Sequence, residues 1–282
     1  MKKYILFLVV VLLLTSCSKE PETYKALKSA GQKAFVKQDY PTARKYFLEA
    51  LHKNQSDKDL LYLLGLSYQR DFLMDSALLY LKRADLLFPN ERETNLAIYQ
   101  AALDLQDWEA AIKAIHVLVK TGDPIEMYYN QLAQMNLKIG HYVVAYIFAK
   151  KELETHPDIP NNYIQLGNVA AILDSFDVAI NTMDSATKKF GDKDVFLLNK
   201  GIYYSGKRNY KKAEKIFRSL LLKDSTSIPT KVNLANILSQ QKSRKKKLEA
   251  YHLYKEIQPK ITTDVFKIDS TITALKKELK IK

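Results

Sequence analysis

Residues 61–89 read LYLLGLSYQRDFLMDSALLYLKRADLLFP. Ala77, near the middle, belongs to a series: Ala43, Ala77, Ala111, Ala145, Ala179 and Ala213 stand 34 residues apart. Three residues before each alanine comes a large side chain: Tyr40, Met74, Trp108, Tyr142, Phe176 and Tyr210. Twelve before stand Gly31, Gly65, Tyr99, Ala133, Gly167 and Gly201, most of them small. Four after come Phe47, Leu81, Ile115, Ala149, Met183 and Phe217. Positions that recur together in six consecutive units define one structural unit used six times.

The residue types have a physical reading. Helices pack at about 8–10 Å, and the lower limit requires small side chains at the crossing. The small residue and the alanine of each unit therefore mark two helices in close approach, and the large residue fills the wedge at their turn. Asp39, Asp107, Ser175 and Asn209 precede that large residue and are expected to cap the second helix. Pro41 falls in a first helical turn, where a missing amide does little harm. Pro89 and Pro157 follow helices, as proline should.

Leu61, Leu64, Gly65, Tyr68, Ala77, Leu81, Ala84 and Pro89 resemble the tetratricopeptide repeat, two antiparallel helices with a period of 34. The resemblance runs from Tyr24 to about Ser227 without insertion or deletion. It implies an all-α tetratricopeptide-repeat solenoid: six regular 34-residue helix pairs, a seventh irregular pair and a C-terminal capping helix. The tryptophan common early in the family's first helix is absent; Leu27, Leu61, Asn95, Tyr129, Tyr163 and Leu197 stand there. Tyr99 in repeat 3 and Glu152 in repeat 4 replace small residues, and these units are expected to pack less regularly. In the seventh unit Asn233, Leu234, Ala235 and Leu238 continue a first helix. The next alanine is Ala250 rather than residue 247, which predicts a turn three residues longer, spanning Lys242 to Lys247. From about Asp264 to Lys280, Val265, Phe266, Ile268, Ile272, Leu275 and Leu279 give one apolar side, suited to covering the open end of a solenoid core.

The chain starts differently. Lys2 and Lys3 precede eleven apolar residues, Tyr4 to Leu14. That run is too short for a membrane span, which needs roughly twenty residues, and suits a secretory leader. Leu14-Thr15-Ser16-Cys17 resembles the lipobox of bacterial lipoproteins, and Cys17 is the only cysteine. The resemblance implies cleavage before Cys17, a lipid on its thiol and acylation, palmitate included, of the new terminus. Several acyl chains make an anchor stable where one is marginal. Ser18 stands where aspartate usually signals inner-membrane retention, which implies outer-membrane sorting, with the periplasmic and surface-exposed faces both open. The expected organisation is a cleaved leader at 1–16, a lipidated tether at 17–23, the solenoid at 24–257 and the capping helix at 258–282.

With no second cysteine there is no disulfide and no thiolate metal site. His52, His116, His141, His156 and His252 show no metal-binding spacing. No glycine-rich phosphate loop, nucleophile elbow or paired ligand motif is present, so no catalytic residue, metal or cofactor is assigned and the chain is expected not to be an enzyme. Charge is uneven. Residues 1–187 hold 20 Lys/Arg against 22 Asp/Glu, and residues 188–282 hold 24 against 9.

Two candidate surfaces follow. In the family, positions 2, 5, 6, 9, 12 and 13 of each first helix face the concave groove. In repeats 4–7 these positions are rich in amides: Asn130, Gln131, Gln134, Asn161, Gln165, Asn168, Asn199, Asn233 and Asn236. An amide carries both donor and acceptor, so it matches the backbone of an extended peptide without demanding charge. The second surface is the basic run Lys242, Arg244, Lys245, Lys246 and Lys247. For an exported lipoprotein its counterpart is an anionic lipid, an envelope glycan or an acidic protein rather than nucleic acid. The carboxylate clamp of chaperone-binding relatives is not matched: Lys28 fits, but Gln32 and Leu63 stand where asparagines are needed. The leading expectation is a lipid-anchored scaffold or adaptor in an envelope complex serving assembly, secretion or cell-wall regulation. The alternative is a binding protein for an anionic glycan or lipid through the basic third.

Overall fold

The computed structural model describes residues 23–260 and 268–281. Cys17, Val265 and Phe266 lie outside the described residues. The described part divides into two compact units after Pro124.

The first unit holds three helix pairs: α1 (Tyr24–Val36) with α2 (Tyr40–Lys53), α3 (Lys58–Arg70) with α4 (Met74–Leu87), and α5 (Arg92–Asp104) with α6 (Trp108–Lys120). Ala43, Ala77 and Ala111 are fully buried at the helix crossings, as their period requires. Opposite them the glycines leave no spare room. A Cβ on Gly31 would lie 2.5 Å from two ring carbons of Phe47, and one on Gly65 would lie 2.6 Å from Leu81. In repeat 3 the irregular residues find partners. Buried Asn95 donates to Asp85 Oδ1 at 2.7 Å and to the Glu91 carbonyl at 3.1 Å.

The second unit opens with a 3-10 turn, Ile125–Tyr128, and a short helix α7 (Tyr129–Lys138), paired with α8 (Tyr142–Thr155). Then come α9 (Pro160–Ile172) with α10 (Phe176–Phe190), α11 (Asp194–Gly206) with α12 (Tyr210–Lys223), and α13 (Ile228–Ser239) with α14 (Arg244–Ile257). Helix α15 (Ile268–Leu279) packs on α14, burying Ile268, Ile272, Leu275 and Leu279. Repeat 4 is the irregular one. Its first helix is shortened, and buried Glu152 accepts from Asn162 Nδ2 at 3.3 Å with His156 Nδ1 at 3.2 Å. The division of the chain falls between the two repeats whose signatures depart from the pattern.

The turn inside each pair is built the same way six times. Its middle residue has a left-handed backbone in Gln38, Phe72, Gln106, Gly140, Asp174 and Arg208, at the same 34-residue period. The next amide reaches back five residues: Asp39 to the Ala34 carbonyl (3.0 Å), Leu73 to Tyr68 (3.0 Å), Asp107 to Ala102 (2.8 Å), His141 to Asn136 (2.8 Å), Ser175 to Ala170 (2.9 Å) and Asn209 to Tyr204 (2.8 Å). This is the Schellman closure, which satisfies carbonyls left over at a helix end. Asp39, Asp107 and Asn209 cap the following helix as expected. Ser175 does not: its hydroxyl bonds the Leu173 carbonyl at 3.3 Å instead.

The seventh pair differs from the sequence expectation in one respect. Helix α14 starts at Arg244, 34 residues after Tyr210 starts α12, so Arg244–Lys247 form a first helical turn rather than a loop. Its buried residues Ala250, Tyr254 and Ile257 lie 37 positions after Ala213, Phe217 and Leu220. Both helices span 14 residues, so the buried positions have moved three residues toward the C-terminus of α14 while its length is unchanged.

Candidate functional site

Within each unit the first helices of successive pairs touch one another, α3 with α5, α9 with α11 and α11 with α13, so they form an inner layer. The amide positions singled out from sequence lie on this layer in the second unit, and their hydrogen bonds separate them into two kinds. Some are ties within the fold. Asn168 Oδ1 accepts from the Tyr203 hydroxyl at 2.7 Å, and Asn236 Oδ1 accepts from Tyr254 at 2.5 Å. Burial pushes both tyrosines above their ordinary range, so each hydroxyl keeps its proton and remains a donor. Asn199 and Asn233 donate to carbonyls of their own helices, Val195 at 2.8 Å and Pro229 at 2.9 Å. Asn130 and Gln134 bond each other. Asn161 is exposed, and its side chain makes no hydrogen bond among the described residues. Gln165 is half-buried, and its Oε1 finds no donor among them.

The basic run is also partly committed. Arg244 donates to the Leu279 carbonyl at the end of α15 (3.1 Å), and Lys247 pairs with Glu278 on the same helix. Lys246 bonds Glu214 and Gln241, each at 2.7 Å. Burial raises the Glu214 carboxyl, but hydrogen bonds from Lys246 and Arg218 outweigh it and hold the group below the ordinary carboxylate range. Lys242 and Lys245 are exposed and carry no such partner among the described residues. Lys28, the clamp-like residue, is neutralised by Asp57 at 2.9 Å and Asp59 at 3.1 Å. It has no charge to spare for a ligand carboxylate.

A hollow with an apolar floor and a polar rim lies on the inner layer of the first unit. About 460 Å³ in volume, it is bounded by Tyr62, Leu66 and Phe72 from the second pair and by Leu96 and Ala97 from the third. Gln69, Arg70, Glu93 and Gln100 form its rim, with Gln69 donating to Gln100 at 3.3 Å. Arg70 and Glu93 make no ion pair among the described residues. Both sit close enough to Tyr62 to act on it. Its pKa is raised, chiefly by burial and further by the Glu93 charge. Selection by amide content passed over these residues. The same inward-facing positions, applied to repeats 2 and 3, pick out Tyr62, Leu66, Arg70, Glu93, Leu96 and Gln100.

Seven consecutive antiparallel helix pairs, six of them spaced at 34 residues, identify the architecture. The fold is that of the tetratricopeptide repeat. Residues 1–18 match the prokaryotic membrane lipoprotein lipid attachment site, which marks the chain as a lipid-anchored envelope protein. No curated protein matches the chain by sequence. Among solved structures, the Naa15/Naa10 complex bound to HypK-THB is similar in fold, with a TM-score of 0.53 at 14% identity over 90% of this chain and 39% of that one. A tetratricopeptide repeat protein from Parabacteroides merdae ATCC 43184 matches with a TM-score of 0.49 at 14% identity, covering 89% of this chain and 98% of that one. PilF of Pseudomonas aeruginosa matches with a TM-score of 0.47 at 12% identity, covering 80% and 99%. The tetratricopeptide layers of this chain carry no group of three or more His, Cys, Asp or Glu able to hold a metal ion among the described residues.

Proposed function

We propose that the chain is a membrane-anchored, non-enzymatic scaffold that holds a protein partner of the cell envelope on the inner layer of its helix pairs. The observation that carries this reading is the joining of a lipid attachment site at residues 1–18 to stacked pairs whose inner layer still has unused hydrogen-bonding groups. In the second unit those groups are Asn161 and Gln165. Asn161 is open to a peptide backbone, and Gln165, whose Oε1 is enclosed without a donor at a cost of about 1–3 kcal/mol, would turn its amide outward to meet one. Asn130, Gln134, Asn199 and Asn233 border the same surface, while Asn168 and Asn236 hold it in shape through their tyrosines. Ser18 directs the anchor to the outer membrane. The alternative, recognition of an anionic glycan or lipid by residues 242–247, draws less support, because Arg244, Lys246 and Lys247 already hold Leu279, Glu214 and Glu278.

The test is recovery of the partner from cells with Asn161→Ala and Gln165→Ala, singly and together. Partner recovery falling at least tenfold in the double variant, with unchanged thermal unfolding, is the expected result. Full recovery with the double variant removes the amide surface from the account.

A further inference from the structure

The six turns inside the regular pairs act as controls for one another. At the left-handed position five of them carry Gln38, Gln106, Gly140, Asp174 or Arg208, all polar or glycine. The second repeat carries Phe72, with φ 59° and 84% of its surface exposed. At the next position Asp39, Asp107 and Asn209 cap the following helix, while His141 and Ser175 do not. The second repeat carries Leu73, which caps nothing and is 48% exposed. A bulky side chain in left-handed backbone is a genuine outlier. Loss of a capping oxygen is a second local penalty at the neighbouring residue. Phe72 is the one bulky apolar side chain among the six left-handed turn positions, and its turn borders the hollow of the first unit. Strain of this kind persists where a site needs it.

We propose that the Phe72-Leu73 turn and the hollow beside it are a docking site for an extended polypeptide that inserts one large apolar side chain between an acidic and a basic residue. The apolar side chain enters between Tyr62, Leu66, Leu96 and the Phe72 ring. Arg70 and Glu93 stand on the rim as two exposed charges of opposite sign with no ion pair among the described residues, and Gln69 and Gln100 offer amides to the backbone. The charges select the occupant. A lipid chain or a neutral apolar ligand leaves both unpaired, while a segment with one acid and one base flanking its apolar residue neutralises both. The proposal rests on the scaffold reading only in taking a polypeptide as partner, and its residues are separate from the amides of the second unit.

The probe is a set of blocked nonapeptides in a Gly/Ser background. Each has a central Phe, Leu or Ala flanked, at each spacing, by one Glu and one Lys or by two Gln. Binding to the full lipidated protein in detergent is read by fluorescence polarisation. Charged peptides with Phe or Leu are expected to bind at least tenfold more tightly than their Ala or Gln counterparts. The variant Phe72→Gly/Leu73→Asp restores the turn used elsewhere in the molecule. It is expected to melt a few degrees higher and to bind the same peptides at least tenfold more weakly. A merely structural role for Phe72 predicts the reverse, a lower melting temperature. No difference among peptide centres, unchanged binding by the variant, or self-association through Phe72 each overturns the proposal. Peptide binding here with no protein partner in cells removes the scaffold reading and leaves the site. Loss of a cellular partner with Asn161→Ala but not with the turn variant does the opposite.

Discussion

Gly31 and Phe47 meet so closely that each dictates the size of the other. A methyl group on Gly31 would stand 2.5 Å from the Phe47 ring, which is itself fully buried and has little room to move. Gly31→Ala is expected to lower stability by about 1–3 kcal/mol despite its better helix propensity, measured by urea unfolding. Adding Phe47→Leu should make the double variant less destabilised than the sum of the two single changes, since the smaller side chain relieves the clash. Repeat 4 departs from this, with two small buried residues, Ala133 and Ala149, in one cluster with Leu166. This part of the packing was legible in repeats 1, 2, 5 and 6, where a glycine stands sixteen residues before a large side chain. The left-handed turn was not, because only Gly140 among its six residues is a glycine. The roles of Asn168 and Asn236 were hidden for another reason. Their inward positions followed from the repeat, but the hydroxyls that claim them come from Tyr203, 35 residues away, and Tyr254, 18 residues away. Tyr203→Phe should cost about 1 kcal/mol in thermal or urea unfolding, with helix content unchanged.

At the level of the element, the first turn of α14 and the end of α15 explain each other. Lysine and arginine near a helix C-terminus meet unpaired carbonyls and the negative end of the dipole. Arg244 on the Leu279 carbonyl and Lys247 on Glu278 therefore fasten α15 as its four apolar residues cover the last pair. Arg244→Ala/Lys247→Ala should speed amide hydrogen exchange in α15 while leaving α9 to α12 unaffected. The Glu214 contact adds a pH dependence. Its carboxyl is held below the ordinary range, so the stability it adds is complete above the unfolded value of about 4.3 and is lost as pH falls through the lowered one. Glu214→Gln should flatten that acid limb of a stability–pH profile and leave the neutral region with a constant offset. The sequence pattern marked this segment as irregular from the late Ala250. It did not distinguish a longer loop from a helix of ordinary length whose buried positions come three residues later, because Ser243 can cap a helix and four basic residues are compatible with either.

For the whole molecule, the account joins two compact units of tetratricopeptide pairs to a lipid attachment site. Among the described residues no helix is long and apolar enough to cross a membrane. Cys17→Ser is expected to leave the leader uncleaved and the protein unlabelled by palmitate, as read by mass spectrometry and metabolic labelling. Maturation and labelling at wild-type levels would remove the anchor from the account. Which partner the anchor brings within reach was never legible. Repeats specify how helices meet, and the groups left over for a partner are set one residue at a time. The measurement that bears most directly on the central claim is crosslinking in living cells, followed by purification of the lipidated protein and identification of what is attached. The account predicts a protein, crosslinked through inner-layer residues of the helix pairs. Recovery of only a glycan or lipid, attached through the basic end near residues 242–247, would contradict it.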